Sequence, residues 1–263
     1  MASKTIAAGL VFICLSCQHV HSQENNEEKS VKKPGSAVLA VAENPYKNIS
    51  EIPLPEGFTF INPGKNSFSY WLLNIPLKKD KTVYLFDGSK KRNQAAQFAV
   101  LDIPVGTQNL QQCADAVIRL RASYLFEQGK FDSIVFYDNE LRPYLFSQPY
   151  TKKHFTDYLQ RVFSMCGTAS LSKQLKKILY PGILPGNVLI RGGFPGHAEI
   201  VLAVAVNKSG AKKYLLAQSY MPAQDIHVLL NPLSKTDSPW YDFNDEKIET
   251  PEYTFTAKEW KEW

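Results

Sequence analysis

Cysteine, histidine and methionine are all scarce in this chain, at four, five and three of 263 residues. Cys14 and Cys17 fall within the first 22 residues, which leaves only Cys113 and Cys166 for the folded part. Two cysteines exclude a disulfide-rich scaffold, although a single bridge between them stays open. No pair of Cys or His in the folded part has the close spacing of a structural zinc site. Asp225 and His227 alternate and would have to recruit Cys113 and His197 from far away, so neither a metal nor any other cofactor is expected. Charge of one sign is lacking too: 30 Lys plus Arg stand against 25 Asp plus Glu, and they are scattered. A nucleic-acid partner is therefore not indicated. Nor is there an apolar run of the roughly 20 residues a membrane helix needs.

What is present begins with an address. Residues 1–22 carry Lys4 and the short apolar core IAAGLVFICL, the pattern of a secretory signal peptide. Val20-His21-Ser22 offers ordinary cleavage, whereas Leu15-Ser16-Cys17 resembles a lipoprotein box with Cys17 as the lipidated residue. Export is expected either way, to the periplasm or to the outer membrane as an anchored lipoprotein, with Cys17 the only tie to a membrane. Residues 23–48 begin QENNEEKSVKKPGS, polar and free of aromatics, and read as a flexible tether. Residues 49–263 have the length and the 44% hydrophobic content for one globular domain.

Along that domain, TVYLF and AAQFAVLDI flank a polar turn and read as a hairpin. Asn109, with Gln112 three residues on, predicts a capped helix whose apolar stripe is Leu110, Cys113, Ala114, Val117, Leu120 and Tyr124. SIVFY is a strand candidate. Thr151 caps a second predicted helix, HFTDYLQRVFSMC, and Ser170 to Leu179 a short third. From Asn231 onward the chain reads as a wrapping tail without chemistry.

The densest pattern lies in residues 186–229. VLI, AEIVLAVAV and YLLAQSY are apolar and β-branched around a Ser209-Gly210 turn, which predicts a buried antiparallel hairpin. His197 stands at its mouth behind Gly192, Gly193, Pro195 and Gly196. Gln218, on the returning strand, comes within a few residues of His197, but a slip of one residue would turn it to the other face.

A cysteine in the first turn of a helix, a later histidine on a strand and a polar residue on the next strand follow the chain order of papain-like hydrolases. In that scheme Cys113 is the nucleophile, favoured as thiolate by the helix terminus; His197 is the base and then the acid; Gln218 holds the imidazole in one tautomer. The Cys113 amide, with Gln111 or Gln112, would face the oxyanion, and Tyr220 and Gln224 are candidates for the substrate cleft.

PGNVLIRGGFPGHAEIVLAVA resembles the histidine segment of NlpC-type cell-wall peptidases, papain-like enzymes that cut peptidoglycan stem peptides. Asn187 stands where that family has Asp, and Gln112-Cys113-Ala114-Asp115 replaces its Asp-Cys-Ser-Gly. The phrases LQQCADAVIRLRASYL, FSMCGTASLSKQL and LLAQSYMPAQDIHVLLNP are similar to a family of exported bacterial proteins, many of them lipoproteins, known only as a domain of unknown function. The resemblance covers the chain after about Pro53. Together these readings imply an α+β fold, an antiparallel sheet with packed helices around a papain-like core. The expected activity is a cysteine peptidase or amidase acting on cell-wall peptide. The alternative is a non-catalytic module of the same fold that binds cell-wall peptide or glycan.

Overall fold

The computed structural model describes residues 43–61, 64–178, 182–236, 238–243 and 246–263. The leader, Cys17 and nearly all of the tether lie outside these residues. The described residues all belong to a single compact unit. No helix among the described residues is long and apolar enough to cross a membrane.

In chain order the elements are β1 (Phe58–Phe60), α1 (Phe68–Leu73), β2 (Gln97–Val100), α2 (Cys113–Glu127), β3 (Val135–Tyr137), β4 (Pro143–Leu145), α3 (Lys152–Met165) and α4 (Thr168–Gln174). Then come β5 (Lys176–Lys177), β6 (Val188–Arg191), β7 (His197–Asn207), β8 (Lys212–Gln218), β9 (His227–Leu229), β10 (Trp240–Asp242), β11 (Lys247–Glu249), β12 (Thr254–Thr256) and β13 (Trp260–Glu262). The fold is mixed helix and strand around one large antiparallel sheet, whose main path runs β2-β9-β8-β7-β6-β13-β5. Small hairpins β3-β4 and β11-β12 stand apart from it.

The hairpin read from residues 197–218 is the centre of the sheet. The first nine residues of β7 are all buried, because both faces are covered. Ala198, Ile200, Leu202, Ala203 and Ala205 join one core with Ala114, Val117 and Leu120 of α2. Val201 and Val204 join a second with Tyr214, Tyr241, Phe255 and Trp260, mostly from the tail. A strand buried on both sides carries apolar residues on both faces, which is why AEIVLAVAV lacks alternation, Glu199 being its one polar residue.

Three readings need correction. The 82–103 region is not a regular hairpin: its first half forms only isolated bridges, Tyr84 with Lys90 and Leu85 with Gln224, and β2 pairs with β9 instead. The Cys113 helix is not capped by Asn109. It starts at Cys113 with Gln112 as N-cap, and Asp115 Oδ2 accepts from the Gln112 amide at 2.9 Å. Asn109 Oδ1 is taken by the Ala223 amide at 2.7 Å, a contact no local pattern reveals. The third helix is shorter than read, covering residues 168–174 before the chain turns into β5. Thr151 does cap α3, accepting from the His154 amide at 3.2 Å.

Candidate active site

Register decides which side chains meet. Val206 opposes Lys212 and Ala203 opposes Leu215, but after a bulge at Leu202 Val201 opposes Leu216 and Ile200 opposes Ala217. The next pair along is therefore Glu199 with Gln218, which share a face with His197, two residues before Glu199. Without the bulge Gln218 would oppose Ile200 and point to the other face. His227, paired with Gln218 across β9, joins the same face.

The hydrogen bonds follow this register. His197 Nε2 stands 2.6 Å from Gln218 Oε1 and 3.6 Å from Glu199 Oε1. The Cys113 side chain lies close enough to the imidazole to raise its pKa. With Nε2 given to Gln218, the ring has Nδ1 left for the thiol. α2 brings Cys113 there because its N-terminus is tied to the loop after β8. Ser219 Oγ lies 2.9 Å from the Gln111 carbonyl, and Gln111 Nε2 donates to the Gln224 carbonyl at 3.3 Å.

The orientation of the Gln218 amide is fixed by its other end. Gln218 Nε2 donates to Glu252 Oε2 at 2.7 Å and faces His227 Nε2 at 3.4 Å. Nδ1 of His227 donates to the Asp225 carbonyl at 2.9 Å, so its Nε2 is an acceptor. Two acceptors at one end demand the NH2 group there, and the oxygen must face His197. Lys91, itself buried, closes the chain by pairing with Glu252 and approaching His227 Nε2 at 3.4 Å. Complete burial, then the nearby Lys91 charge, hold His227 neutral with its pKa down at about 3.

His197 behaves oppositely. Burial by itself disfavours the imidazolium, but the hydrogen bonds it donates to the Cys113 side chain and to Glu199 outweigh it and raise the pKa to about 10. Complete burial lifts the Glu199 carboxyl, against the pull of His197 and the Thr250 hydroxyl, which donates to it at 2.8 Å. Burial also pushes the Asp115 carboxyl well above its ordinary value despite its backbone donors.

Three rings surround the imidazole: Tyr220 at 4.8 Å, Tyr253 at 4.9 Å and Phe255 at 5.9 Å between centroids. Tyr253 and Phe255, like Glu252, come from the tail that sequence reading left without chemistry. Tyr253 is held over the site by Arg191, whose guanidinium lies 5.3 Å from its ring and forks onto Glu259.

Cys113, His197, Gln218 and Tyr220 are thus brought together. Gln224 is buried nearby, and its Nε2 has no hydrogen-bond partner among the described residues. Gln112 is not part of the cluster; its side chain reaches Asn109 at 3.4 Å. Gln111 is committed as well, accepting from Arg119 at 2.6 Å. Cys166 is a free thiol, as is Cys113, and burial pushes its pKa up to about 12. Asp225 pairs with Lys78 at 2.8 Å and accepts from the Tyr84 amide, so its work is to tie down the 78–84 segment. Glu199 was the residue most open to discovery, being the single charge in the apolar run 198–206.

A family model described as "Domain of unknown function (4846)" matches residues 49–148 and 142–262. The chain belongs to this family. The two matched segments meet between β3 and α3 and together span the whole of the described fold. No curated protein and no solved structure shows a significant match.

Proposed function

We propose that this protein is a papain-like cysteine hydrolase that cleaves an amide bond, with Cys113 as nucleophile, His197 as acid and base, and Gln218 as the residue that orients the imidazole. The observation that carries the reading is the 2.6 Å contact between His197 Nε2 and Gln218 Oε1, with Cys113 at the first position of a helix packed on the antiparallel sheet and near enough to raise the His197 pKa. A papain-like core is the fold reading that goes with it.

In the reaction, Cys113 Sγ bonds to the carbonyl carbon as the carbonyl π bond opens to an oxyanion. The Cys113 amide, which has no intrahelical acceptor at the first helical position, faces that charge. The carbon–nitrogen bond then breaks as the His197 imidazolium gives its proton to the departing amine. Water next loses a proton to the imidazole and attacks the thioester, which releases the carboxylic acid and restores the thiolate–imidazolium pair. Gln218 keeps Nε2 protonated, so Nδ1 is the nitrogen that shuttles the proton.

The resemblance around His197 favours peptidoglycan stem peptides as substrate, and the leader read in residues 1–22 supports a location in the cell envelope. A second reading, a non-catalytic binding module, draws on the 9% exposure of Cys113 and the rings that cover His197. Incubating the purified protein with isolated stem peptides and following new amines and carboxylates by mass spectrometry separates the two. Cleavage that is lost in Cys113→Ala supports the hydrolase. Binding of the same peptides without cleavage supports the module.

A further inference from the structure

The strongest unassigned feature is a cleft of about 500 Å³ lined by Leu85, Lys90, Arg92, Tyr220, Met221 and Gln224, with Lys91 and Glu252 at its base. Tyr220 joins it to the catalytic cluster, since its ring centroid lies 4.8 Å from that of His197. Three successive cations, residues 90–92, border the cleft. Lys91 is spent on Glu252, and that carboxylate is saturated in turn by Lys91, Gln218 and Asn93. Lys90 and Arg92 are exposed and make no ion pair with a described residue, although Lys90 is near enough to lower the Asp80 carboxyl.

An independent observation points the same way. Gln224 is 1% exposed and its backbone carbonyl is used by Gln111 and Ser219, yet the residue lines this cleft and its buried side-chain NH2 has no acceptor among the described residues. A buried amide donor left unmet costs free energy that an arriving oxygen would recover. Two exposed cations without an ion pair among the described residues and one unmet donor, beside a phenol and the apolar Met221 and Pro222, describe a receptor for a carboxylate on a short apolar stem.

We propose that this cleft is the substrate subsite next to the scissile bond and that it selects substrates carrying a carboxylate there, Lys90 and Arg92 supplying charge and Gln224 a direct hydrogen bond. The proposal rests on Cys113 being the nucleophile. It predicts that the thiol discriminates between small electrophiles by charge, favouring an anion beyond what the local imidazolium provides.

The test is alkylation of Cys113 in the purified protein by iodoacetate and by iodoacetamide, read by peptide mass spectrometry as the ratio of the two rates. Lys90→Glu with Arg92→Glu should lower that ratio by about threefold or more at low salt, with the difference shrinking as salt screens it. Gln224→Leu should lower it too, and that part should persist in salt. Lys208→Glu, at the far tip of the β7–β8 hairpin, should leave the ratio as it is. A ratio unmoved by the cleft variants, or moved equally by Lys208→Glu, overturns the subsite while leaving the nucleophile standing. If Cys113 takes neither reagent, the catalytic reading falls and takes the subsite with it.

Discussion

Replacing Glu199 by Gln removes a buried negative charge beside His197 while keeping an oxygen for the Thr250 hydroxyl. The carboxylate oxygen stands 3.6 Å from His197 Nε2. At an effective dielectric of about 20, Coulomb's law puts that attraction at about 4.6 kcal/mol, an upper bound of about 3 pK units. Burial opposes the charge on the Glu199 carboxyl, so the expected fall in the His197 pKa stays below that bound, between about one and about two units from its value near 10. The assay is an NMR titration of the His197 ring Cε1 resonance, assigned by its loss in His197→Ala. The same shift governs stability. A histidine whose folded value exceeds its unfolded 6.5 stabilises the fold fully below that pH and loses the contribution as pH climbs toward about 10. Wild-type stability should therefore decline between pH 7 and 10, and Glu199→Gln should flatten the decline. A His197 pKa that stays put or rises in Glu199→Gln would refute the reasoning.

Gly196→Ala places a Cβ 2.4 Å from the Gly193 carbonyl and 2.9 Å from that of Arg191, backbone that cannot swing aside. It should destabilise the fold by about 1–3 kcal/mol in urea unfolding and slow Cys113 alkylation, and an unchanged midpoint would count against the close packing before His197. Gln218→Leu strips partners from both His197 Nε2 and Glu252 and should cost about 1–3 kcal/mol, which the same unfolding experiment checks. Cys166, buried with a pKa near 12, should resist iodoacetamide at pH 8 in the folded protein and react once urea unfolds it. Labelling of native Cys166 as fast as the unfolded thiol would show that α3 does not shield it.

The parts of the site that were legible in the sequence are those set by local pattern. His197 follows a glycine-rich approach and opens an apolar run, and Cys113 falls where the helix period begins. The outer boundaries of the β7–β8 hairpin follow from its turn. What decides the site, though, is a bulge at Leu202, and nothing in VLAVA marks which residue the ladder will skip. That one residue of slip puts Gln218 on the face of His197. Glu252, Tyr253 and Phe255 were missed for another reason: they arrive from β11–β12 and its turn, more than 50 residues after His197, and the tail has no local signature of chemistry. Lys91 reads as part of a polar turn, and the partners that let it be buried, Glu252 and His227, lie more than 130 residues further along. Asn109 was the converse case, a good local cap signal overridden by a tertiary acceptor need at Ala223.

The central claim is that Cys113 and His197 work as one unit, and the most direct test is the rate of Cys113 alkylation by iodoacetamide at pH 6 in the wild type and in His197→Ala. A coupled pair predicts ready alkylation of the wild type and a fall on the order of tenfold or more when the imidazole is removed. Equal rates in the two proteins, or a wild-type Cys113 that takes no label while the unfolded chain does, would contradict it.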